Sequence, residues 1–364
     1  MNSDKYFIDY HKIMYHPEIL ARWISSFNNW NVAKKIYPIY VEISPSGTCN
    51  HRCRFCAFDY LGYNKGFADF FNLKKAIKDM KKGGVKSISL SGEGEPLLHP
   101  QIKELILYIH SLKIDVALTT NGTYLKKELV QDILPALTWI KVSLDAGLPK
   151  THFKIHRPAK EEFLEILENL KIAAEIRKKI KARCTLGGQL LLLEENYLEI
   201  EILAKKLKEI GFDYLAIKPY SQHLKSINRE YANIKYKKYL YLEKKVRKLN
   251  DKKFKVIFRK HTFEKLFEKR PYKICHAVPF FWVHLATNGD VYSCGNFIGD
   301  ERFKLGNYNE KSFKEIWEGE KRKKHWEFME KKFTTSQCRE NCRMDEINRY
   351  LDRLKNPPSH VNFI

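Results

Sequence analysis

The chain has 364 residues, of which 44% are hydrophobic and 13% aromatic. This excludes intrinsic disorder and suffices for one large folded domain and a smaller one. Lysine and arginine number 66 against 43 aspartate and glutamate, a formal net charge of +23. Such a charge fits an anionic partner, nucleic acid included, but the basic residues are spread over many helical segments, so we favour a general residue bias as its cause. No segment resembles a signal peptide or a membrane span, which predicts a cytoplasmic protein without membrane contact.

From residue 39 onward, short apolar segments alternate with amphipathic helical patterns. Strands are predicted over residues 39–44, 86–91, 115–120, 139–145, 184–193 and 213–219. Helices are predicted between them, over residues 73–82, 102–112, 126–134, 161–180 and 197–210. Nearly continuous apolar strands that alternate with helices are typical of a buried parallel sheet, which right-handed crossovers curl into a barrel. We therefore predict an α/β fold, a partial (β/α)6 TIM-like barrel.

The regular alternation ends near residue 225. The next segment is very basic, with a predicted helix over 228–253 and a candidate strand over 255–260. From Cys275 onward the pattern indicates a small α+β module, in which a hairpin with a type I′ turn at Asn288-Gly289 precedes a helix capped by Ser312. The predicted domains are an N-terminal helical extension (1–38), the barrel (39–225), a basic connector (226–274) and the C-terminal module (275–364).

Polar and glycine-containing segments follow the predicted strands at their carboxyl ends, where parallel β/α folds place their active sites. They are CNHRCRFC (49–56) after the first strand, SGEGEP (91–96) after the second and TNG (120–122) after the third, with Ser143 and Asp145 ending the fourth and Lys218-Pro219 ending the sixth. We expect these segments to meet at one rim of the barrel and form a single active site.

Three cysteines, Cys49, Cys53 and Cys56, lie within eight residues at the spacing C-x3-C-x2-C. In a reducing compartment, thiols at such spacing indicate metal binding rather than disulfides, and thiolates bind zinc or iron–sulfur clusters. Three thiolates fill three corners of a four-iron cluster and leave the fourth iron open to a chelating ligand. A structural zinc ion would instead need a fourth protein ligand, such as His51.

Over residues 40–220 the sequence closely resembles the radical S-adenosylmethionine (SAM) superfamily. The resemblance lies in the cysteine spacing, in Phe55 before the third cysteine, and in SGEGEP, which is similar to the family's GGEP motif with Glu93 in place of the first glycine. It implies that the three cysteines hold a [4Fe-4S] cluster that cleaves SAM to a 5′-deoxyadenosyl radical. It also implies that Glu95 is the main side chain that holds the methionine amino group. The residues implied to contact SAM or its cluster are Phe55, Glu93, Gly94, Glu95, Pro96, Asn121, Ser143 and Asp145.

The C-terminal module carries four more cysteines, Cys275, Cys294, Cys338 and Cys342. They resemble the ligands of SPASM/Twitch modules in radical SAM enzymes, although the final C-x3-C departs from the usual pattern. The resemblance implies a Twitch-type iron–sulfur module with one auxiliary [4Fe-4S] cluster, while a [2Fe-2S] cluster and zinc stay open as alternatives. The remaining Cys184 is a candidate hydrogen-atom donor or, at the end of its strand away from the rim, a small buried hydrophobic residue.

The resemblance implies a radical SAM oxidoreductase or epimerase that takes a hydrogen atom from its substrate and receives electrons from an external donor such as flavodoxin or ferredoxin. About forty residues precede the first strand, too few for the leader-binding domain usual in peptide-modifying relatives. We therefore expect a small-molecule substrate, such as a sugar, an aminocyclitol or another anionic metabolite, ahead of a peptide (RiPP) maturase. The basic surface keeps a nucleic-acid-modifying enzyme as a third alternative. Oxidation and epimerisation both stay open.

Overall fold

The computed structural model describes residues 4–363. Its strands are β1 Tyr40–Ile43, β2 Ser46–Thr48, β3 Asn64–Phe67, β4 Ser87–Leu90, β5 Asp115–Thr120, β6 Trp139–Ser143, β7 Thr185–Leu192, β8 Tyr214–Pro219, β9 Lys255–Phe258, β10 Trp282–Leu285, β11 Asp290–Tyr292 and β12 Lys304–Asn307. Its α-helices are α1 Pro17–Ser25, α2 Trp30–Ala33, α3 Phe70–Gly83, α4 Ile102–Ser111, α5 Lys127–Ile133, α6 Pro149–His156, α7 Phe163–Lys179, α8 Ile200–Ile210, α9 Leu242–Arg247, α10 Lys260–Glu264, α11 Phe313–Glu318, α12 Glu320–Lys331 and α13 Asp345–Lys355. Among the described residues, no helix combines the length and apolar character needed to cross a bilayer.

The six predicted strands run parallel in the order β1-β4-β5-β6-β7-β8, which confirms the α/β fold with a parallel, barrel-like sheet. The sheet also extends at both edges. The candidate strand after the connector, β9, pairs in parallel with β8, and β10 pairs in parallel with β1. Strands β11 and β12 continue the sheet in antiparallel pairs beyond β10. The C-terminal hairpin therefore belongs to the barrel sheet, while the domain boundaries remain predictions.

The two faces of the parallel sheet differ in polarity. Val41 and Ile43 of β1 are fully buried in the core that the helices share with the outer face of the sheet. Glu42 lies between them and therefore points to the opposite face, because neighbouring side chains of a strand point to opposite sides. Lys141 in β6 lies likewise between two buried apolar residues. The strands are thus less continuously apolar than the sequence pattern indicated, and Glu42, Lys141 and Lys218 belong to a polar inner surface, the interior face.

The N-terminal segment packs along β8 and β9. Tyr6 and Ile8 pack against Tyr214, Ala216 and Ile257, and the rings of Tyr6 and Tyr214 lie 5.5 Å apart between centroids. Tyr214 begins β8, so this apolar contact lies at the amino ends of the strands. The opposite end, at the carboxyl ends of the strands, is the rim where the predicted site residues lie.

Helices α1 and α2 belong to the N-terminal extension and pack on the C-terminal region. Trp23 shares a hydrophobic core with Trp326. The buried guanidinium of Arg322 in α12 donates hydrogen bonds to the carbonyl oxygen of Ile36 at 3.3 Å and to that of Pro279 at 2.9 Å. The extension is therefore anchored by apolar contacts and by buried hydrogen bonds.

The connector differs from its prediction. In place of one helix over 228–253, the structure has the short helix α9 and a 3-10 turn at Tyr236–Tyr239. Tyr236 and Tyr239 are buried, and the Tyr236 hydroxyl donates to the carbonyl oxygen of Leu192 at 2.8 Å. Because these tyrosines anchor the segment on the barrel, it follows an irregular path, and the prediction of a long helix was wrong.

The turn of the C-terminal hairpin also differs. A type I′ turn needs positive φ at both central residues, and Gly289 has φ +93° while Asn288 is not in the left-handed region. The Gly289 N–H donates to the carbonyl oxygen of Ala286 at 3.1 Å, and the Ala286 N–H to that of Asp290 at 2.8 Å. These bonds close a three-residue loop with Gly289 as its left-handed residue. The predicted helix after it is confirmed as α11, whose Ser312 forms a capping box.

Candidate active site

The loop that carries Cys49, Cys53 and Cys56 follows β1 and β2 at the rim. Backbone hydrogen bonds shape it, since the Cys49 N–H donates to the carbonyl oxygen of Tyr63 at 3.2 Å and the Cys56 N–H to that of Cys53 at 3.1 Å. Burial raises the pKa of the Cys53 thiol, and the neighbouring Cys56 and Cys49 raise it further. The three thiols are therefore close enough to affect one another's ionisation, as the ligands of one metal centre would be.

Helix α6 closes this loop from one side through His156. The Arg54 N–H donates to the carbonyl oxygen of Ile155 at 2.9 Å. Nδ1 of His156 lies 3.4 Å from Cys53 Sγ, and the Asp145 N–H donates to Nε2 at 3.3 Å. Burial lowers the pKa of His156 well below its usual value, and its Nε2 also lies 3.3 Å from Asp145 Oδ2. No role for this histidine could be predicted from the sequence, because the contact joins residues 103 positions apart.

His51, the fourth ligand in the zinc alternative, is bound by a carboxylate. Its Nε2 contacts Glu162 Oε1, and the Thr123 hydroxyl donates to the same oxygen at 2.8 Å. Burial would raise the pKa of Glu162, but the hydrogen bonds from His51 and Thr123 lower it. The carboxylate therefore orients the His51 ring beside the cysteine loop.

The SGEGEP segment after β4 packs directly against β2. A Cβ atom on Gly94 would lie 2.3 Å from the carbonyl oxygen of Thr48 and 2.8 Å from that of Ser46, so only glycine fits. The Glu95 N–H donates to the same Thr48 oxygen at 2.9 Å. Because Cys49 follows Thr48 directly, these contacts fix the segment beside the first cysteine.

The buried Glu95 carboxylate binds the loop after β5. Its Oε1 accepts from the Thr120 hydroxyl at 2.6 Å and from the Leu97 N–H at 3.1 Å, and its Oε2 accepts from the Asn121 N–H at 2.8 Å. Burial raises the pKa of Glu95, and these hydrogen bonds oppose the rise. A carboxylate oxygen has two lone pairs, so Oε2 has capacity for a further donor. The contact of Glu95 with the SAM amino group stays a prediction, and Oε2 is the atom suited to make it.

Asn121 connects two of the predicted segments. Its Nδ2 donates to Asn50 Oδ1 at 2.7 Å, and Asn50 Nδ2 donates to the Thr123 hydroxyl at 3.2 Å. The TNG loop is therefore bonded to the cysteine loop. The structure thus brings together the segments that follow β1, β4 and β5.

The other predicted contact residues surround this centre. The Phe55 ring meets His156 edge to face, with 5.2 Å between centroids. The Ser143 hydroxyl donates to Asp145 Oδ2 at 3.2 Å, and burial raises the pKa of Asp145 to about 7. Pro96 is buried at the first position of a short 3-10 turn. Their roles toward SAM stay predictions.

Glu93, which replaces the first glycine of the GGEP motif, is bonded to the C-terminal hairpin. Its Oε1 accepts from the Thr287 N–H at 3.0 Å, and its own N–H donates to the Ser44 hydroxyl at 3.2 Å. The Thr287 hydroxyl donates in turn to the Ser44 carbonyl oxygen at 3.2 Å. This departure from the family pattern therefore fastens the SGEGEP segment to the C-terminal region.

The second cysteine set converges from three separate segments of the C-terminal region. Burial raises the pKa of the Cys294 thiol well above its usual value, and three neighbouring thiols raise it further, those of Cys342, Cys275 and Cys338. Asn348 Nδ2 donates to Cys275 Sγ at 3.3 Å. Four mutually close thiols with an amide N–H bonded to sulfur are typical of a ligand set for a metal cluster.

One group of ligand atoms in the described part of the chain is spaced closely enough for a single metal ion. It consists of His51, Cys53 and His156, whose ligand atoms lie within 4.8 Å of one another. The two histidines therefore lie close to the sulfur of one of the three cysteines of the first set.

Residues 220–228 lie between the two cysteine sets and contact both. The Ser226 hydroxyl donates to the Cys56 carbonyl oxygen at 3.2 Å. Next to Cys342, the Asn341 N–H donates to the Ser221 hydroxyl at 3.3 Å. Since residues 220–228 follow the carboxyl end of β8, both sets lie at the same rim of the barrel.

The interior face below this rim carries several cationic side chains, of which the sequence analysis placed only Lys218 at the rim. Lys141 lies on β6, Lys218 on β8 and Arg259 directly after β9. Arg343, beside the second cysteine set, forms an ion pair with Glu42 of β1. Burial lowers the pKa of Lys141 to about 8 and that of Lys218 well below its usual value. The sequence signal for an inward-facing cation was a lone lysine between apolar residues of a strand, as at Lys141 in β6.

Among curated proteins, GTP 3′,8-cyclase of Aliarcobacter butzleri is 33% identical over 153 residues, which cover 40% of this chain and 46% of the cyclase. The chain therefore matches about half the length of that relative. The tungsten-containing aldehyde ferredoxin oxidoreductase cofactor-modifying protein of Pyrococcus furiosus is 23% identical over 307 residues, which cover 78% of this chain and 81% of that protein.

Two solved structures share the fold. Streptococcus suis SuiB bound to its precursor peptide SuiA has a TM-score of 0.64 at 19% identity, covering 82% of this chain and 68% of SuiB. Native anSMEcpe with bound AdoMet has a TM-score of 0.60 at 19% identity, covering 86% of this chain and 88% of that protein. At this identity the likeness concerns the fold, and it agrees with the α/β architecture.

Two family models match successive parts of the chain. Residues 43–207 match the radical SAM superfamily, and residues 275–343 match SPASM, an iron–sulfur cluster-binding domain. Together they span more than half of the sequence. The cofactors of these domains are SAM, a SAM-binding [4Fe-4S] cluster and auxiliary iron–sulfur clusters. The chain therefore belongs to the radical SAM superfamily and carries a C-terminal SPASM domain.

Proposed function

We propose that this radical SAM enzyme abstracts a hydrogen atom from a small molecule bound at the interior face and oxidises it. The observation that carries the proposal is that both cysteine sets lie at one rim, on either side of residues 220–228 and above a polar interior. The SAM-binding [4Fe-4S] cluster is assigned to Cys49, Cys53 and Cys56. The auxiliary [4Fe-4S] cluster is assigned to Cys275, Cys294, Cys338 and Cys342. When bound, these groups supply the 5′-deoxyadenosyl radical and an electron acceptor.

The residues of the chain bind and orient these groups. Oε2 of Glu95 would accept a hydrogen bond from the amino group of SAM. The hydrogen bond from the Asn121 N–H keeps that oxygen in place. An N–H at Nδ1 of His156 would stabilise the Cys53 thiolate. The substrate enters from the rim, where both cysteine sets lie, and Tyr6 and Ile8 pack on β8 and β9 away from it. An external donor such as flavodoxin or ferredoxin supplies the electrons.

The position of Cys184 favours oxidation over epimerisation. A radical epimerase needs a hydrogen donor that faces the substrate. Cys184 is the cysteine outside both sets, and it lies 2% exposed in the hydrophobic core directly before β7. Arg177 donates to its carbonyl oxygen at 3.1 Å. This is the amino end of the strand, away from the rim, so the thiol acts as a small apolar core residue.

A peptide substrate is the second candidate. SuiB has been solved with a precursor peptide and anSMEcpe with the Cp18Cys peptide, and both share this fold. Helices α1 and α2 pack on the C-terminal region through Trp23 and the carbonyl oxygen of Ile36, so they are not a free recognition element. The cations of the interior face fit a compact, charged molecule better than an extended chain.

The test is anaerobic reconstitution followed by iron analysis and a reductant-driven SAM cleavage assay. Two four-iron clusters predict about eight irons per chain and formation of 5′-deoxyadenosine. Replacing Cys49, Cys53 and Cys56 together with alanine should leave about four irons and abolish cleavage.

Two further variants serve as comparisons. Alanine at Cys275, Cys294, Cys338 and Cys342 together should also leave about four irons but retain cleavage without substrate. Cys184→Ala should keep about eight irons and normal cleavage. Zinc in the second set, or unchanged cleavage after loss of the first set, would contradict the proposal.

A further inference from the structure

Cations on the interior face outnumber the carboxylates that could neutralise them. The charges that act on Lys218 and lower its pKa, after burial, are all positive, those of Lys141, Arg259, Arg343 and Arg339. Two of them have carboxylate partners, because Arg259 Nε lies 3.3 Å from Asp9 Oδ1 and Arg343 pairs with Glu42. The remaining positive charges are on Lys141, Lys218 and Arg339.

Arg339 is accounted for by the second cysteine set. It follows Cys338 in the chain, and it donates from Nε to the Ser221 hydroxyl at 3.3 Å. Burial lowers its pKa, and the nearby Cys342 opposes that change. Its charge therefore offsets the negative charge of the thiolates, and the same holds for Arg343 beside Cys342. The two lysines have no such partner.

Lys141 and Lys218 are partly exposed and have no direct ion-pair partner, although Glu42 acts on Lys141 and Asp145 acts on Lys218 at longer range. Within residues 4–363, neither ammonium has a carboxylate within 4.0 Å or a side-chain hydrogen bond, and the nearest feature of Lys141 is the Trp139 ring, 5.5 Å from Nζ to its centroid. Two like charges in a poorly hydrated interior repel each other and cost solvation free energy. Such an arrangement is stable only if an anion or water completes it.

The space that these lysines face is accessible from the rim. Tyr6 and Ile8 cover the amino ends of β8 and β9, whereas the Arg343 side chain remains 47% exposed although it pairs with Glu42 of β1. Lys218 is level with Arg259 at the carboxyl end of the strands, since Ile217 pairs with Phe258 in register. Lys141 is level with Tyr214, because both pair with Gly187 in register, so a ligand group that enters from the rim meets Lys218 first and reaches Lys141 beside the apolar end.

We propose that Lys141 and Lys218 bind a substrate group with two negative charges, either a phosphoryl group or two carboxylates. Two cations without direct carboxylate partners, on the strands β6 and β8 that flank β7, match a dianion in charge, and each lysine has three donors for its oxygens. This inference rests on the proposed function, because it names the substrate class of the same interior site.

The test uses the full chain, reconstituted anaerobically with its clusters and saturated with SAM. Inorganic phosphate and, separately, succinate are titrated by calorimetry at constant ionic strength, with chloride as the monovalent reference. We expect at least one dianion to bind the wild type and to bind Lys141→Met and Lys218→Met at least about tenfold more weakly. The control Lys171→Met, an exposed position on α7, should bind like the wild type. Tighter binding of phosphate identifies a phosphoryl group, and tighter binding of succinate a dicarboxylate.

Thermal unfolding without added anion gives a second measurement. Removing either lysine relieves repulsion, so the melting temperature of Lys141→Met and Lys218→Met should rise, while Lys171→Met leaves it unchanged. If a methionine variant is insoluble, Lys141→Arg and Lys218→Arg keep the charge and should retain anion binding.

Three outcomes overturn the proposal: no dianion binds the wild type, all variants bind equally, or the variants lose affinity for SAM instead. SAM cleavage is measured on the same samples. Failure of cleavage in the wild type refutes the proposed function, whereas cleavage without dianion binding refutes this inference alone.

Discussion

Replacing Gly94 with alanine should separate the SGEGEP segment from β2 and disturb the site that it shapes. The new Cβ would lie 2.3 Å from the Thr48 carbonyl oxygen, where a real contact needs at least 3.0 Å, so one backbone segment must move by about 0.7 Å. The atoms that it meets belong to the backbone of β2, which cannot rotate away as a side chain could. Gly94 itself has no positive φ, so the cost is steric.

The magnitude follows from two contributions. Overpacking of this kind costs about 1–3 kcal/mol. Loss of the 2.9 Å hydrogen bond from Glu95 N–H to Thr48 adds about 1 kcal/mol. The free energy of unfolding of Gly94→Ala should therefore fall by about 2–4 kcal/mol. Because Glu95 moves with the segment, SAM cleavage should fall by about 10- to 100-fold while the iron content stays normal.

Urea unfolding and the cleavage assay measure these two effects. The matched control is Gly84→Ala at the end of α3, where a Cβ meets open space but φ is +101°, so it should cost about 1 kcal/mol and leave cleavage unchanged. A Gly94→Ala enzyme with wild-type stability and cleavage would refute the packing argument. An equal loss of cleavage in both variants would show that stability alone accounts for it.

Three other changes test separate parts of the structure. Arg322→Met removes the buried bonds to Pro279 and Ile36 and should cost about 3 kcal/mol in urea unfolding, whereas the exposed Arg353→Met should cost nothing measurable. Asn348→Asp places a carboxylate oxygen against Cys275 Sγ and should reduce the iron content from about eight to about four while SAM cleavage without substrate persists; retention of all the iron would contradict the ligand assignment. Burial lowers the pKa of His325 to about 4, whereas the unfolded chain binds its proton near pH 6.5, so stability is unaffected above pH 6.5 and falls by about 3 kcal/mol between pH 6.5 and 4. His325→Asn should lessen the decline in urea unfolding over the same range by about 3 kcal/mol, and a decline in the variant as large as that in the parent would contradict the prediction.

The barrel could be predicted from the sequence because each of its strands and helices is indicated by the pattern of its own residues. Each strand and helix has its own periodicity, and the order of parallel strands followed from right-handed crossovers. The meeting of the segments around Cys49, Glu95 and Asn121 could be predicted for the same reason, since the carboxyl ends of parallel strands share one rim. The prediction of a long helix failed for the connector. There the Tyr236 hydroxyl donates to the carbonyl oxygen of Leu192, and the helical pattern of the sequence does not indicate this contact.

The remaining features depend on contacts between distant positions. Strand β10 pairs with β1 across about 240 residues, and no local pattern distinguishes it from the first strand of an independent hairpin. His156 reaches Cys53 from another helix. Lys218 was expected at the rim, but Lys141 was overlooked because a lone lysine in a strand is more often solvated, and only the curvature of the sheet shows that the two point into the same interior.

One short segment serves both the second cysteine set and the interior face. Cys338 and Cys342 are followed directly by Arg339 and Arg343, so the residues assigned to the auxiliary cluster and two interior cations move as one unit. Arg343 also reaches Glu42 of β1. The positions of the thiolates therefore fix the positions of Arg339 and Arg343. Lys141 and Lys218 are then the interior cations that face a ligand without a carboxylate or thiolate partner. This physical connection explains why an enzyme that oxidises an anionic molecule would build its electron acceptor and its substrate site from the same rim.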